Sequence, residues 1–511
     1  REEELSPAQL VAAMVSAGRM RLSDKEWWWT LARGVERHVW KSKSGSSLQF
    51  SQICLVMHSL GKAQIKIKER FYKRMLRHML SYAGIWTEFD MAWIMYSMRQ
   101  RRLKPVGSSR ASELYAKVLK NIAIFFNTKL HFISPKGCVF VMYEFARHGM
   151  YPGKAAPRAF RRITKHVPEL SDRALVALAV AAAKFEWPER RLLKKLTAEV
   201  VEPRRFTRMH PRMLVVILHA YAELRIRDVT LLSSVCTLFS RSCSSLDPRS
   251  CAMLAWSLGR LGVRGQVWAA LAERVSQSVE KHAPLHLALI SHGFGKVAAS
   301  EDDMLRHALQ DAALDKIPTF TPKHLACLLD GLVLTGTLRS DTFEAAMEAY
   351  VQHGSVGVVA RQQMMTRVLF DVLLEQPSLL DNAPQSWRAL LGRSMRLTEE
   401  AAINKQPFHS ELEACAHALS IKGSVFKQKG LYTVDLYLPG RAGREAIAVQ
   451  LLADAELCPL TGDLLGPSLL REKHLKRMKW QCLYLNRRQW MSLPSSEDRV
   501  EVLQELLTPH I

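Results

Sequence analysis

Along most of the chain the apolar positions recur with helical spacing, and the helices they predict come in pairs at a regular interval. An X-Pro pair followed by an amphipathic stretch stands at His210-Pro211, Asp247-Pro248, Ala283-Pro284 and Thr321-Pro322, with spacings of 37, 36 and 38 residues. Proline suits the first helical turn because the N–H it lacks would be unpaired there. Ser6-Pro7 and Ser134-Pro135 open two more units, while the stretches from Phe50, Glu88 and Ser171 keep the helix without the proline. Two intervals are longer, and each holds a polar insert, at 41–47 and 104–109, that belongs in a loop. This gives nine units, with a degenerate tenth over Arg361 to Met395.

Aligned on the anchor, the units share columns. Seven and ten residues past it stand apolar pairs such as Met57 and Leu60, Met95 and Met98, Leu218 and Tyr221, and Leu329 and Leu332. Three residues apart on a helix, they share one face. Small residues recur nine past the anchor (Ser59, Ser97, Ser257, Gly293, Gly331) and eleven past it (Gly18, Gly61, Gly259, Gly295). Glycine inside a helix costs up to about 1 kcal/mol relative to alanine, so its repetition predicts close helix–helix approach or a helix end. One helical hairpin cannot bury its apolar face alone, and stacked hairpins can. The expectation is a mainly α chain whose residues 1–395 form an α-solenoid.

The pattern changes after residue 395. Leu431-Tyr432-Thr433-Val434-Asp435-Leu436-Tyr437-Leu438-Pro439 alternates as a strand, and Ala446 to Leu451 reads as a second, more buried one. Arg441 to Arg444 would turn between them. Thr461-Gly462 leads into a basic helix over Ser468 to Met478, a third strand over Gln481 to Leu485, and Arg488-Gln489-Trp490. A helix is expected before the first strand, over His409 to Ile421, and another at Arg499 to Leu507. In this order and spacing the Tyr-x-Val-Asp strand, the Thr-Gly, the Lys479-Trp480 and the final Arg and Trp resemble the RAP domain. The resemblance assigns 396–511 to a small α/β module of restriction-endonuclease-like fold, with its core at 428–491. A period near 37 joined to such a module is similar to the octotricopeptide and heptatricopeptide repeat proteins of chloroplasts and apicomplexan organelles. That likeness implies RNA binding in an organelle, mitochondrial or alternatively plastid.

Composition agrees with such a partner. The 511 residues are 48% hydrophobic, enough for a core and too many for one compact domain, and the formal charge is +24. A basic excess favours a polyanion, of which RNA is the commonest. Nine cysteines without a Cys-x-x-C pair argue against a disulfide framework or a zinc site, and no metal or other cofactor is expected. No run of eighteen apolar residues marks a membrane span. The chain opens on Arg1, as a processed organellar protein would and as a piece of a longer one would.

Candidate RNA contacts fall in columns. Directly after the anchor stand Lys136, Arg212, Arg249 and Lys323; twelve past it stand Arg19, Lys62, Arg147, Arg260 and Lys296. Cations at a helix C-terminus are favoured by the macrodipole, so the second column has a structural explanation. The first opposes the dipole, which suggests a phosphate-tracking row. Eight past the anchor the residues vary: Val15, His58, Tyr96, Tyr143, Ala179, His219, Trp256, His292, Asp330. Their rings could stack on bases or pack between units. In the module, Arg471, Lys473, Lys476 and Arg477 make the helix basic, and Arg488 follows the last strand. Trp480 and Trp490 are expected in its core. Of Trp27, Trp28 and Trp29, at least one is expected to meet another unit or a partner.

Catalysis is not expected. The related nucleases hold Mg²⁺ with an Asp on one strand and Glu-x-Lys on the next. Asp435 matches the first position, but Gln450-Leu451-Leu452 supplies neither the second acid nor the lysine. The sequence thus predicts a non-catalytic RNA-binding protein with no small-molecule substrate. It would be a resident of the mitochondrial ribosome contacting rRNA and neighbouring subunits. The alternatives are a free organellar factor for RNA stability or processing and, last, an endonuclease.

Overall fold

The computed structural model describes residues 5–40, 48–65, 67–82, 84–100, 110–299, 303–353, 359–381, 383–390, 392, 407–421, 423–440 and 445–510. The insert at 41–47, the loop at 101–109, the turn at 441–444 and the boundary at 395/396 lie outside them. The chain divides into two compact units, Arg1–Met209 and His210–Ile511. The fold is mainly helical, with a small sheet near the C-terminus.

In the first unit helices pair in order: α1 (Pro7–Met20) with α2 (Lys25–Trp40), α3 (Phe50–Ala63) with α4 (Glu69–Ser81), and α5 (Glu88–Gln100) with α6 (Arg110–Lys129). Then follow α7 (Pro135–Arg147), α8 (Ala155–Lys165), α9 (Asp172–Lys184), α10 (Arg190–Val200) and the short α11 (Pro203–Arg208). The first helices of the pairs, α1, α3, α5, α7 and α9, pack each on the next, and α4, α6, α8 and α10 form a second layer. Of the tryptophan triplet, Trp28 is fully buried and donates its indole N–H to the Leu22 carbonyl at 2.8 Å, while Lys68 lies over Trp29.

The second unit repeats the scheme with α12 (Pro211–Leu224), α13 (Val229–Ser242), α14 (Pro248–Leu261), α15 (Val267–Ser276), α16 (Pro284–Val297), α17 (Asp303–Leu314), α18 (Pro322–Thr335), α19 (Ser340–Gln352) and α20 (Val359–Glu375). The residue before each anchor proline is in most cases a side-chain cap: Ser6, Ser134, His210, Asp247 and Thr321 each accept a backbone N–H from the first helical turn. Such a cap contributes about 0.5–2 kcal/mol, which is the physical content of the X-Pro anchor.

The small-residue columns mark close approach. A Cβ on Gly259 would stand 2.6 Å from the Gly293 Cα, and one on Gly295 would stand 2.6 Å from the Gly331 carbonyl oxygen. Residues eleven past the anchor therefore meet residues nine past it on the next unit. The period also appears in polar bonds. Arg260 Nε donates to Ala222 O at 2.8 Å, 38 residues away, and Ser291 Oγ to Leu328 O at 2.8 Å, 37 away.

After α21 (Pro377–Asp381) the chain forms α22 (Pro407–Ala418), β1 (Ser424–Lys429), β2 (Tyr432–Leu438), β3 (Ala446–Leu452), α23 (Gly466–Arg477), β4 (Trp480–Asn486), α24 (Arg487–Ser492) and α25 (Ser496–Leu507). Among the described residues the sheet order is β1-β2-β3-β4, with β1/β2 and β2/β3 antiparallel and β3/β4 parallel. The parallel pair needs a crossover, and α23 supplies it. β1 is an addition to the three strands read from sequence. Its Ser-Val-Phe-Lys-Gln-Lys is short and polar, and Gly430 (φ +59°) turns it into β2. Leu436, Val449, Leu451 and Leu485 join Phe408, Leu412, Trp490 and Leu503 in one apolar cluster; Val434, Ala448, Leu475 and Trp480 form another. Both module tryptophans are thus core.

Candidate nucleic-acid interface

Positions 1, 5, 8 and 12 past the anchor are separated by four, three and four residues, so they share one helical face. Burial confirms that face as the solvent side of the first helices. Position 1 is exposed at Ser51, Phe89, Lys136, Arg212, Arg249, Leu285 and Lys323, and position 8 is half-buried at His58, Tyr96, Tyr143, His219, Trp256 and His292.

In the first unit this face carries a groove of about 570 Å³ running over α3, α5, α7 and α9. His58, Phe89, Trp93, Tyr96, Phe140 and Tyr143 line it, with Lys136 and Arg173 on its border. The rings also touch between helices: His58 lies 4.7 Å from Tyr96 and 5.9 Å from Trp93. The aromatic column therefore packs between units and still presents ring surface to the groove. Arg99 is bound to Glu144 at 3.1 Å and lies over Tyr96. At the helix C-termini a second depression of about 370 Å³ is lined by Arg19, Arg21, Lys62, Gln64, Tyr96 and Gln100. Burial, and then the Lys62 charge, push His58 down to a pKa of about 4, so its ring is neutral near pH 7. Arg147 ends α7 exposed.

In the second unit the exposed row is Arg212, Arg249 and Lys323, with Arg212 also 3.3 Å from Asp247. In the C-terminal column Arg260 is exposed, yet it also caps Ala222 O and lies over Trp256, whose ring centroid is 4.7 Å from that of His219. Lys296 is half-buried, and burial pushes its ammonium down against the pull of Asp330. Asp330 itself has no exposed surface and is held by Arg367.

The α/β module docks on this same unit. Helix α23 packs on α16, α18 and α20. Arg227 donates to three carbonyls of one loop, those of Asp454, Ala455 (3.1 Å) and Leu457 (2.9 Å). A buried chain runs from Tyr432 Oη to His474 Nδ1 at 2.7 Å, and from His474 Nε2 to Asp371 at 2.8 Å. The docking uses one cation that the sequence offers as an RNA contact, Lys473, which reaches Asp371 (3.6 Å) and Glu375 (3.5 Å). Arg471 is taken up within the module, where it binds Glu456 at 3.0 Å. Lys476 is exposed and paired with Glu472, while Arg477 and Arg488 are exposed.

The anticipated cations thus divide. Lys62, Lys136, Arg147, Arg212, Arg249, Lys323, Lys476, Arg477 and Arg488 face solvent; Arg260 and Lys473 are exposed but also make contacts within the fold, and Lys296 and Arg471 are half-buried. Arg21, Arg173, Arg225 and the Asp330–Arg367 pair were not anticipated. The last was findable, since an acid on the solvent face has an arginine 37 residues later, one period on.

Asp435 is committed to the architecture. One carboxylate oxygen accepts the Leu451 N–H at 2.8 Å and the other lies 3.0 Å from His409 Nε2. Gln450 donates to Thr433 O at 3.1 Å. Among the described residues no three His, Cys, Asp or Glu side chains gather as a metal ion requires, and no helix is long and apolar enough to cross a membrane. Neither a scan against protein-family models nor a search of curated proteins gives a match to this chain.

Proposed function

We propose that this chain is a non-catalytic RNA-binding protein of an organelle, an α-solenoid of helical hairpins joined to a RAP-like module. Its place is in the mitochondrial ribosome. The observation that carries the reading is the aromatic groove of the first unit, bordered by Lys136 and Arg173 and close to the basic C-termini of α1 and α3. Ring surface for unpaired bases beside cations for phosphates is the combination that single-stranded nucleic acid requires. The net charge of +24 supplies long-range attraction. The use of Asp435 and Gln450 as hydrogen-bonding struts supports a binding role for the module over a nuclease. The position-8 side chains mix His, Tyr, Trp, Val, Ala and Asp and contact one another, so they offer no one-base-per-repeat alphabet. That favours an irregular rRNA surface over one linear transcript. Sedimentation of the native protein with and without RNase tests this: co-migration with a ribosomal subunit is expected. A slow-sedimenting RNase-sensitive complex would point to a free transcript factor instead.

A further inference from the structure

In the second unit the solvent face of the first helices runs into a cleft of about 480 Å³ beneath the module loop 454–468. On the helical side it is lined by Arg225, Arg260, Lys296, His292 and Trp256. On the module side Ser468, in the first turn of α23, reaches it, so the positive end of a helix dipole faces the same space.

The cleft's acids are already matched. Glu456 takes Ser468 Oγ (3.1 Å), Arg471 (3.0 Å) and the Ala453 N–H (2.9 Å). Asp454 stands beside Arg227, whose guanidinium is fixed on the loop carbonyls. Glu223 lies near Arg260 and also 3.8 Å from His219. Asp330, which attracts Lys296, is shared with Arg367 and His292. Arg225 is exposed and adds its charge to that of Arg260. Three cations therefore converge with little compensation, and each would gain from an anion.

The cleft is also closed at one end. On α18 the two positions that would continue the face, Asp330 and Leu334, are buried. The start of α23 seals the gap, for Gly466 lies so close to the Gly295 carbonyl that a Cβ would collide with it. A strand following the face from α12 cannot pass.

We propose that this cleft takes the terminal phosphate of an RNA strand, making the second unit a reader of strand ends. This rests on the RNA-binding reading above. A terminal monophosphate carries more charge than an internal diester and needs no exit beyond it, which fits both the cation cluster and the closed end.

The test uses the full chain and one single-stranded oligoribonucleotide in three forms: 5′-monophosphate, 3′-monophosphate, and hydroxyl at both ends. One phosphorylated form should bind at least about tenfold more tightly than the hydroxyl form, the effect of one charge-assisted contact. The form preferred reports which end the cleft faces. Arg225→Gln should cut that preference severalfold and Arg225→Glu abolish it, with affinity for the hydroxyl form falling by a smaller factor than affinity for the preferred phosphorylated form. Arg225 is exposed, so neither change threatens the fold. Equal affinity for all three forms, or a preference untouched by Arg225→Glu, overturns the proposal and leaves RNA binding standing. Failure of every form to bind overturns both.

Discussion

Asp330 Oδ1 receives both Nε and Nη2 of Arg367, at 2.7 and 2.6 Å, with no part of the aspartate side chain exposed. Burial alone would raise the pKa of this carboxyl. The Arg367 charge, the His292 ring 3.3 Å away and Lys296 reverse that and hold it well below the usual carboxylate range. A carboxyl depressed in the fold stabilises above its unfolded pKa near 3.9, and that stability goes only as pH falls through the folded value. Arg367→Met should therefore destabilise the second unit by about 3–5 kcal/mol at pH 7, since it strands a buried charge. Replacing both residues with apolar ones should recover most of the loss. Urea unfolding of the wild-type protein and the two variants measures this.

His282 is held neutral where Asp330 is held charged, and it too costs stability on acidification. It is 1% exposed, and neither ring nitrogen finds a hydrogen bond among the described residues. Burial, then the charges of His286, Lys316 and Arg274, push it down to about 4. Between pH 6.5 and 4 the unfolded chain takes up a proton that the fold refuses. Stability should fall on acidification by up to about 1.4 kcal/mol per pH unit from this group. His58 titrates in the same window, so His282→Phe should flatten the profile without removing it. An unchanged slope of unfolding midpoint against pH counts against the assignment.

Replacing Lys136, Arg212, Arg249 and Lys323 together with alanine should weaken RNA binding and flatten its salt dependence. For a single strand, every phosphate left without its cation lowers the log–log slope by about 0.7. The Asp247 pairing makes Arg212 the weakest contributor. Exposed residues of this kind leave stability within about 0.5 kcal/mol, so melting curves serve as the control. Unaltered affinity and slope would remove the row from the RNA path.

Asp435→Ala should act on folding and not on RNA integrity. It removes the carboxylate beside His409 Nε2, on a ring that is 2% exposed, and the acceptor of the Leu451 N–H, at a cost of about 1–3 kcal/mol for the lost bonds. RNA incubated with wild-type protein and Mg²⁺ or Mn²⁺ should stay intact. Cleavage that vanishes in the variant would show that Asp435 serves catalysis.

The period, the cap positions and the apolar columns were legible because each depends on neighbours within one or two helical turns. Met57, Leu60 and Gly61 announce their face without help from the rest of the chain. The fate of the cations was not legible in the same way. Arg471 and Lys473 look like Arg477 in sequence, yet Glu456, Asp371 and Glu375 claim the first two. Glu456 is brought to Arg471 by the fold of the module, and Asp371 and Glu375 meet Lys473 only when the module is seated. Arg227 is the extreme case, bound to carbonyls some 230 residues ahead. β1 was missed for another reason: its six residues acquire their pairing from β2, and little in their own pattern demands a strand.

The grip of Arg227 on the backbone of residues 454–457 has an evolutionary side. A guanidinium that holds main-chain oxygens is indifferent to which side chains the loop displays. Asp454 and Ala455 are thus free to drift without loosening the joint, and Arg227 is not. Lineages can rewrite the rim of the cleft, and with it what the rim touches, while the joint keeps its geometry.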